Sequence, residues 1–257
     1  MKNIVVFYTD HFINRTVTQF LAKSNGLTFE TVKNYNNYKD IIFASYGFRR
    51  ENKEIFLENK NFLYLDHGYL NSSNRVFNSD GVTNVGNLSG YFRVVKNDFY
   101  FNKNLINNSE IRFKELDIEL KNLNKNAEYI VVSEPTEQTL DFLNIKNWTY
   151  NTIEQIKKNT DRKIIIHNKF AKTPLNDLLK NAFAFVSCQS TAAFLAIANG
   201  VPSYFTHESL INFGKIEDIE NRRLNHELLF TAANSQWKLS EFFSDEFQIF
   251  LNSIKDT

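Results

Sequence analysis

The chain has 257 residues, 42% hydrophobic and 15% aromatic, with a net charge of +1 at pH 7. That composition supports a real core and excludes a disordered chain, and the near-zero charge excludes nucleic-acid binding through overall basicity. A single cysteine, Cys188, excludes a disulfide framework and a cysteine-based zinc site.

The length fits one large domain or two small ones. Charge is uneven along it: residues 1–126 carry 17 Lys and Arg against 13 Asp and Glu, and residues 127–257 carry 13 against 16. Any polyanionic partner is therefore expected at the N-terminal half. No apolar run reaches the roughly 18–20 residues of a membrane span, and the N-terminus enters a strand pattern without a signal-peptide pattern. The expectation is a soluble cytoplasmic protein.

Residues 3–8 are continuously apolar and β-branched, the pattern of a strand buried on both faces. Phe12, Val17, Phe20 and Leu21 follow at near-helical spacing up to the stop signal Asn25-Gly26. Strands are predicted over 28–32, 41–45 and 62–65, with a helix over 49–58 between the last two. Strands alternating with helices point to a parallel sheet with right-handed crossovers. Residues 68–90, rich in Asn, Ser and Gly, are too long for an ordinary connection and are expected to be functional or mobile. A strand over 91–95 precedes the aromatic Phe99-Tyr100-Phe101, then a charged helix and linker over 110–126.

The second half restarts the alternation, with strands over 128–133 and 162–167 and helices over 148–158 and 174–181. The most informative run is Ala182 to Phe205. It reads as a buried strand ending in a core Cys188, a polar elbow Gln189-Ser190-Thr191, an Ala-rich helix stopped by Gly200, and a strand opened by Val201-Pro202. Hydroxyls and N–H groups at such a helix start favour a phosphate. A helical tail with Trp237 and Phe242 closes the chain. The predicted fold class is α/β, two Rossmann-like domains facing a central cleft. Residues 1–125 form the acceptor-binding domain and 126–257 the nucleotide-binding domain with its tail.

Four strand ends of the second half are polar at once: Ser133-Glu134-Pro135-Thr136, His167-Asn168-Lys169, Gln189-Ser190-Thr191 and Thr206-His207-Glu208. In an open parallel sheet these ends face one crevice, where ligands bind. Lys169 offers a point charge and His167 a donor to a diphosphate. In the first half, Asp10-His11 and Asp66-His67-Gly68 follow strands, and a carboxylate or imidazole there can deprotonate an acceptor hydroxyl. Asp66 is the first choice for that base and His67 the second. Asp10 also fits a helix N-cap. Arg93 reads equally as a phosphate contact and as a surface charge on an edge strand, and Arg222 as a phosphate contact or a helix decoration. There is no His-Glu-x-x-His, no Asp-x-Asp-type loop and no Walker-type Gly-Lys-Thr, so no metal site is predicted.

Two Rossmann-like halves with a Ser-Thr elbow before an Ala-rich helix ending Gly200-Val201-Pro202 resemble GT-B glycosyltransferases. The segment from Asp161 to Pro202, continued by Gln236-Trp237-Lys238-Leu239-Ser240-Glu241, is similar to small glycosyltransferase-like proteins of tailed phages. So is the pairing of Leu65-Asp66-His67-Gly68-Tyr69 with Tyr91-Phe92-Arg93-Val94. The resemblance implies a hexosyltransferase that moves a sugar, glucose first, from a UDP-sugar to a hydroxyl. The favoured acceptor is a 5-hydroxymethylpyrimidine in double-stranded phage DNA inside the infected bacterial host. It implies no cofactor beyond the nucleotide-sugar co-substrate. Donor contacts fall to Ser133, Thr136, His167, Lys169, Gln189, Ser190, Thr191, His207, Glu208 and Arg222. Catalysis falls to Asp66, His67 and Asp10, and acceptor contacts to His11, Tyr69 and Arg93. Many GT-B enzymes bind the ribose through a Glu five residues before the helix-ending Gly. Leu195 stands there, leaving Glu208 as the ribose candidate. Rival readings are a glycan or polysaccharide acceptor, a sugar-nucleotide 2-epimerase, and a catalytically inactive nucleotide-binding protein.

Overall fold

The computed structural model describes residues 3–48, 50–72, 75–77, 83–85, 88–102 and 109–255. The chain divides into two compact units, residues 1–104 with 234–257 and residues 105–233.

The first unit opens with β1 (Asn3–Tyr8), α1 (Phe12–Ser24), β2 (Thr28–Thr31), β3 (Ile41–Tyr46), α2 (Lys53–Glu58) and β4 (Phe62–His67). It continues through β5 (Arg75–Phe77), β6 (Thr83–Val85) and β7 (Tyr91–Lys96). Helix α1 buries two rows four residues apart, Ile13, Val17, Leu21 and Asn14, Thr18, Ala22, the stripe a helix lays on a sheet. It stops where Gly26 takes a φ of 58° and the Leu27 N–H reaches the Ala22 carbonyl. One face of the sheet is aromatic: Phe7, Phe43, Phe62 and Tyr64 form a single buried cluster with Phe56 of α2.

Strands β1 to β4 are parallel, with Val5 beside Phe43 and Phe43 beside Phe62. Strand β7 runs antiparallel to β4, with Asp66 opposite Arg93. The fully parallel sheet expected for this half is thus incorrect at β7. A parallel return needs a crossover, usually helical. The described parts of this connection include the antiparallel pair β5–β6 instead. Of the expected loop, residues 73–74, 78–82 and 86–87 lie outside the described residues. So does Arg49, the expected start of the helix that begins at Lys53.

The second unit contains α3 (Ile111–Lys114), β8 (Tyr129–Ser133), α4 (Glu137–Leu143), α5 (Trp148–Lys157), β9 (Lys163–His167), α6 (Leu175–Leu179), β10 (Ala182–Ser187), α7 (Ala192–Ala198), β11 (Ser203–Phe205) and α8 (His226–Asn234). Its sheet is parallel throughout, in the order β11-β10-β8-β9. Strand β10 is buried at every position, which accounts for its unbroken apolar sequence. Of the charged helix and linker expected over 110–126, the helical part is α3 alone. Beyond it the Lys121 and Asn124 N–H groups bond to the Ala198 and Gly200 carbonyls. Gly200 has a φ of 78°, and a Cβ there would overlap the Asn122 carbonyl. Glycine is needed twice over at this position.

After α8 the chain returns to the first unit through β12 (Gln236–Lys238) and α9 (Asp245–Lys255). The completed six-stranded sheet is β12-β7-β4-β3-β1-β2. The expected division at 125/126 therefore differs from the structure at both ends. Among the described residues, 109–125 join the second unit, with Lys121 and Asn124 bonded to Ala198 and Gly200. The tail joins the first because β12 pairs with β7 and Trp237 packs on Phe247 and Phe250, with ring centroids 5.2 Å away in each case. Among the described residues no helix is long and apolar enough to cross a membrane.

Candidate functional site

In the second unit the chain runs from β8 to β9 on one side, then places β10 on the other side of β8. The β8–β10 boundary is thus a topological switch point, where the loops at the carboxyl ends diverge and leave a crevice. The register puts the polar ends level: Ser133 is beside His167 and Ser187, and Ser187 is beside Phe205. Backbone bonds carry the alignment past the strands. The Glu134 N–H donates to the His167 carbonyl, Thr206 to Ser187 and His207 to Cys188. Ser133, His167, Gln189, Ser190, Thr191 and His207 are all half-buried along this one edge, with Lys169 and Glu208 exposed beside them.

Several of these groups are already engaged. Thr136 caps α4, its hydroxyl accepting the Thr139 N–H at 3.3 Å. Glu134 accepts the Thr149 hydroxyl at 2.8 Å, and the Trp148 indole N–H donates to Thr206 at 2.7 Å. His207 Nδ1 lies 2.6 Å from the Ser209 hydroxyl. His167 Nε2 lies 3.2 Å from the Thr173 carbonyl. Within the elbow, Ser190 N–H goes to the Ser187 hydroxyl, Ala192 N–H to the Ser190 hydroxyl, and Ala193 N–H to the Ser190 carbonyl. Most of the N–H groups expected to be free at this helix start are thus taken by the elbow's own oxygens and by Ser187. Gln189 Oε1 is a buried acceptor without a hydrogen-bond partner. Burial pushes the Cys188 thiol up to about 11, which fits the core role expected of it.

Arg222 is not part of this edge, contrary to its expected donor role. It donates to the Phe183 and Asn124 carbonyls at 3.3 and 2.6 Å and lies over the Phe183 ring. Phe183 is near the start of β10, four residues before Ser187, or about 13 Å away along the strand.

In the first unit the switch point lies between β1 and β3, so Asp10-His11 after β1 is at the corresponding edge. Asp10 does not cap α1, whose N-cap residue is His11, with no side-chain capping bond to the helix. Its carboxylate is 78% exposed, with Lys33 at 3.6 Å. The turn is held from below by a buried amide–hydroxyl network. Asn14 accepts the Thr9 N–H at 2.8 Å and donates to the Tyr46 carbonyl and to Ser45. Asn52 donates to Ser45 and to the Gly47 carbonyl. The signal in the sequence was a polar residue on the buried face of a helix and another inside an apolar strand, and it was missed.

Asp66, Arg93 and Tyr69, expected to meet the acceptor, form a buried cluster instead. Arg93 donates to Asp66 Oδ2 at 3.0 Å and to the carbonyls of His67 and Phe99, each at 3.3 Å. Its guanidinium carbon sits 5.8, 5.5 and 5.3 Å from the ring centres of Tyr64, Tyr69 and Tyr100, a cation–π cage. Asp66 also accepts the Tyr64 hydroxyl and the His67 N–H, both at 2.8 Å. Burial alone pushes the Asp66 carboxyl up, but Arg93, His67 and Tyr64 outweigh it and hold it below its ordinary value. A general base works best with its pKa near the operating pH, so Asp66 is a poor base and a strong anchor. Tyr69 is 5% exposed and donates its hydroxyl to the Tyr100 carbonyl. Arg93 is no edge residue, since β7 has β4 on one side and β12 on the other. His67 packs against the rings of Tyr46 and Phe92. Among the described residues no group of three or more His, Cys, Asp or Glu is placed to hold a metal.

Neither a family model nor a curated protein matches the chain.

Proposed function

We propose that the chain is a glycosyltransferase of the GT-B kind. It takes a sugar, glucose first, from a UDP-sugar held at the carboxyl edge of the second unit. The acceptor is a hydroxyl, with 5-hydroxymethylpyrimidine in double-stranded DNA the favoured class. One observation supports the donor half above all: the β8–β10 switch point lies between Ser133 and Ser187, with the Ser190-Thr191 elbow following β10 and His167 level with Ser133 on the neighbouring strand. Hydroxyls, an imidazole and the nearby Lys169 suit a diphosphate leaving group better than they suit an apolar ligand. The acceptor is assigned to the first unit, whose residues 1–104 and 234–257 carry 15 Lys and Arg against 13 Asp and Glu, so charge favours a polyanion there only slightly.

In the transfer, the acceptor oxygen bonds to the anomeric carbon as the bond from that carbon to the diphosphate breaks. The acceptor proton passes to a base, and UDP leaves. With Asp66 committed to Arg93, that base is Asp10, the exposed carboxylate at the β1 edge with His11 beside it.

The test is incubation with a panel of nucleotide sugars and hydroxymethylcytosine or hydroxymethyluracil DNA, followed by mass spectrometry of the nucleosides. A hexose-sized gain supports the reading. Transfer to a glycan instead sinks the DNA acceptor, and conversion of the free UDP-sugar makes the chain an epimerase. Asp10→Asn should lower kcat about 100-fold while leaving UDP binding by calorimetry intact. Ser190→Ala combined with His167→Ala should weaken UDP binding about tenfold or more. Wild-type binding unchanged by that double substitution would remove the donor site from this edge.

A further inference from the structure

With Tyr69 and Arg93 committed to the core, other side chains border the exposed Asp10 carboxylate at the β1 edge. Phe12, two residues on, opens α1 with its ring 63% exposed and without a ring contact among the described residues. Phe20, also exposed on α1, differs in having the Phe243 ring against it, centroids 6.3 Å apart. Arg15 lies three residues beyond Phe12, on the same side of the helix. Its guanidinium carbon stands 5.0 Å from the centre of the Tyr8 ring, and Tyr8 in turn packs on Phe29 with centroids 4.7 Å apart. That stack holds the Arg15 fork in place, yet the fork donates to no other described residue and has no carboxylate partner among them. Glu30 follows Phe29 and so turns to the opposite face of β2; it accepts the Asn34 amide at 2.9 Å. Lys33 adds a second exposed cation, 3.6 Å from Asp10.

We propose that Phe12, Arg15 and Lys33 form the acceptor shelf of the first unit and take one nucleotide of a DNA strand. The base stacks on Phe12, and its flanking phosphates bond to Arg15 and Lys33. This assignment rests on the nucleic-acid acceptor proposed above. A held guanidinium with its donors unspent suits a phosphate, which accepts two parallel N–H bonds from it. An exposed ring suits any base, since every base has a π face. A neutral glycan would use the ring but leave both cations without a partner, so the pair of charges selects a polyanion. Stacking on Phe12 also brings a hydroxymethyl group carried by the base to the strand end that bears Asp10.

Fluorescence anisotropy of a labelled hydroxymethylcytosine duplex with the full chain, without donor, tests this separately from turnover. Wild-type affinity should fall steeply between about 50 and 200 mM salt. Arg15→Ala should weaken binding about tenfold at the lower salt and flatten the slope of log K against log salt by about one. Lys33→Ala should flatten it likewise, whereas Arg15→Lys, which keeps the charge, should keep the slope. Phe12→Ala should weaken binding about tenfold with the slope unchanged, and Phe12→Trp should recover it. All three side chains are exposed, so thermal melting should stay at the wild-type value. A folding defect would not separate slope from affinity in this way. DNA binding indifferent to Phe12→Ala and Arg15→Ala overturns the shelf and leaves the DNA acceptor standing. Binding that depends on them without hexose transfer supports the shelf and sinks the transferase. A wild-type chain that binds no DNA overturns both the shelf and the DNA acceptor.

Discussion

A carboxylate at a strand end, followed by a histidine and a glycine, has the composition of a general base, and Asp66 meets that description. Its cross-strand neighbour changes its role. Arg93 arrives from β7, and an uncompensated guanidinium among three tyrosine rings would be costly. Replacing Asp66 by Asn should therefore lower stability by about 3 kcal/mol at neutral pH, measured by denaturant unfolding. The folded-state pKa of Asp66 is depressed, so its contribution is complete above the ordinary carboxylate value of 3.8. It is lost as pH falls through the lower folded value. The gap between wild type and Asp66→Asn should thus be full at pH 7 and close in acid below that range. A constant gap across the titration would mean that the pair contributes nothing through charge.

Among the elements, two connections depend on single residues. The turn after α7 places Gly200 at a φ of 78° against Asn122, and Gly200→Ala should cost about 3 kcal/mol through backbone strain and displacement of the 121–124 segment. Gln236 of β12 accepts the Tyr69 and Leu70 N–H groups through one oxygen, at 2.8 and 2.9 Å. Gln236→Leu would leave two buried donors unsatisfied, so a loss of about 2–4 kcal/mol is expected in a thermal or urea melt. The Gln-Trp-Lys-Leu-Ser-Glu run, read in the sequence as part of a resemblance, has structural work at each end. Gln236 holds the 69–70 turn, Trp237 packs on α9, and Glu241 accepts the Lys238 N–H at 2.7 Å. Helix α4 has no fully buried residue, and its apolar contact with the core is the single pair Leu140 and Leu143. One turn of spacing is too short to establish a helical period in the sequence, and only Thr136 as a cap marks its start.

On the scale of the whole molecule, the tail completes the first unit. Ending the chain after Ala233 removes β12 and α9, leaves β7 as an apolar edge, and strips the 69–70 turn of its acceptor. Limited proteolysis of such a truncation should degrade residues 1–104 while the segment 105–233 persists, with fragments identified by mass spectrometry. Survival of both parts would show that the first unit holds its sheet without β12.

The sequence by itself determined most of the α/β alternation, because buried parallel strands and amphipathic helices carry their own periodicity. The runs 3–8, 41–45, 128–133 and 182–187 became strands, and α1 and α7 stopped at the glycines that marked them. It also determined that Ser133, His167, Gln189, Ser190 and Thr191 end strands of one half, and parallel pairing made those ends neighbours. Tertiary structure decided what depends on a distant partner: the antiparallel course of β7, the return of the tail, the distance of Arg222 from the polar edge, and the commitment of Asp66 to Arg93. Local patterns report the faces of an element, whereas strand direction and ionic partnership are set by residues dozens of positions away. No window along the chain contains both halves of such a pair.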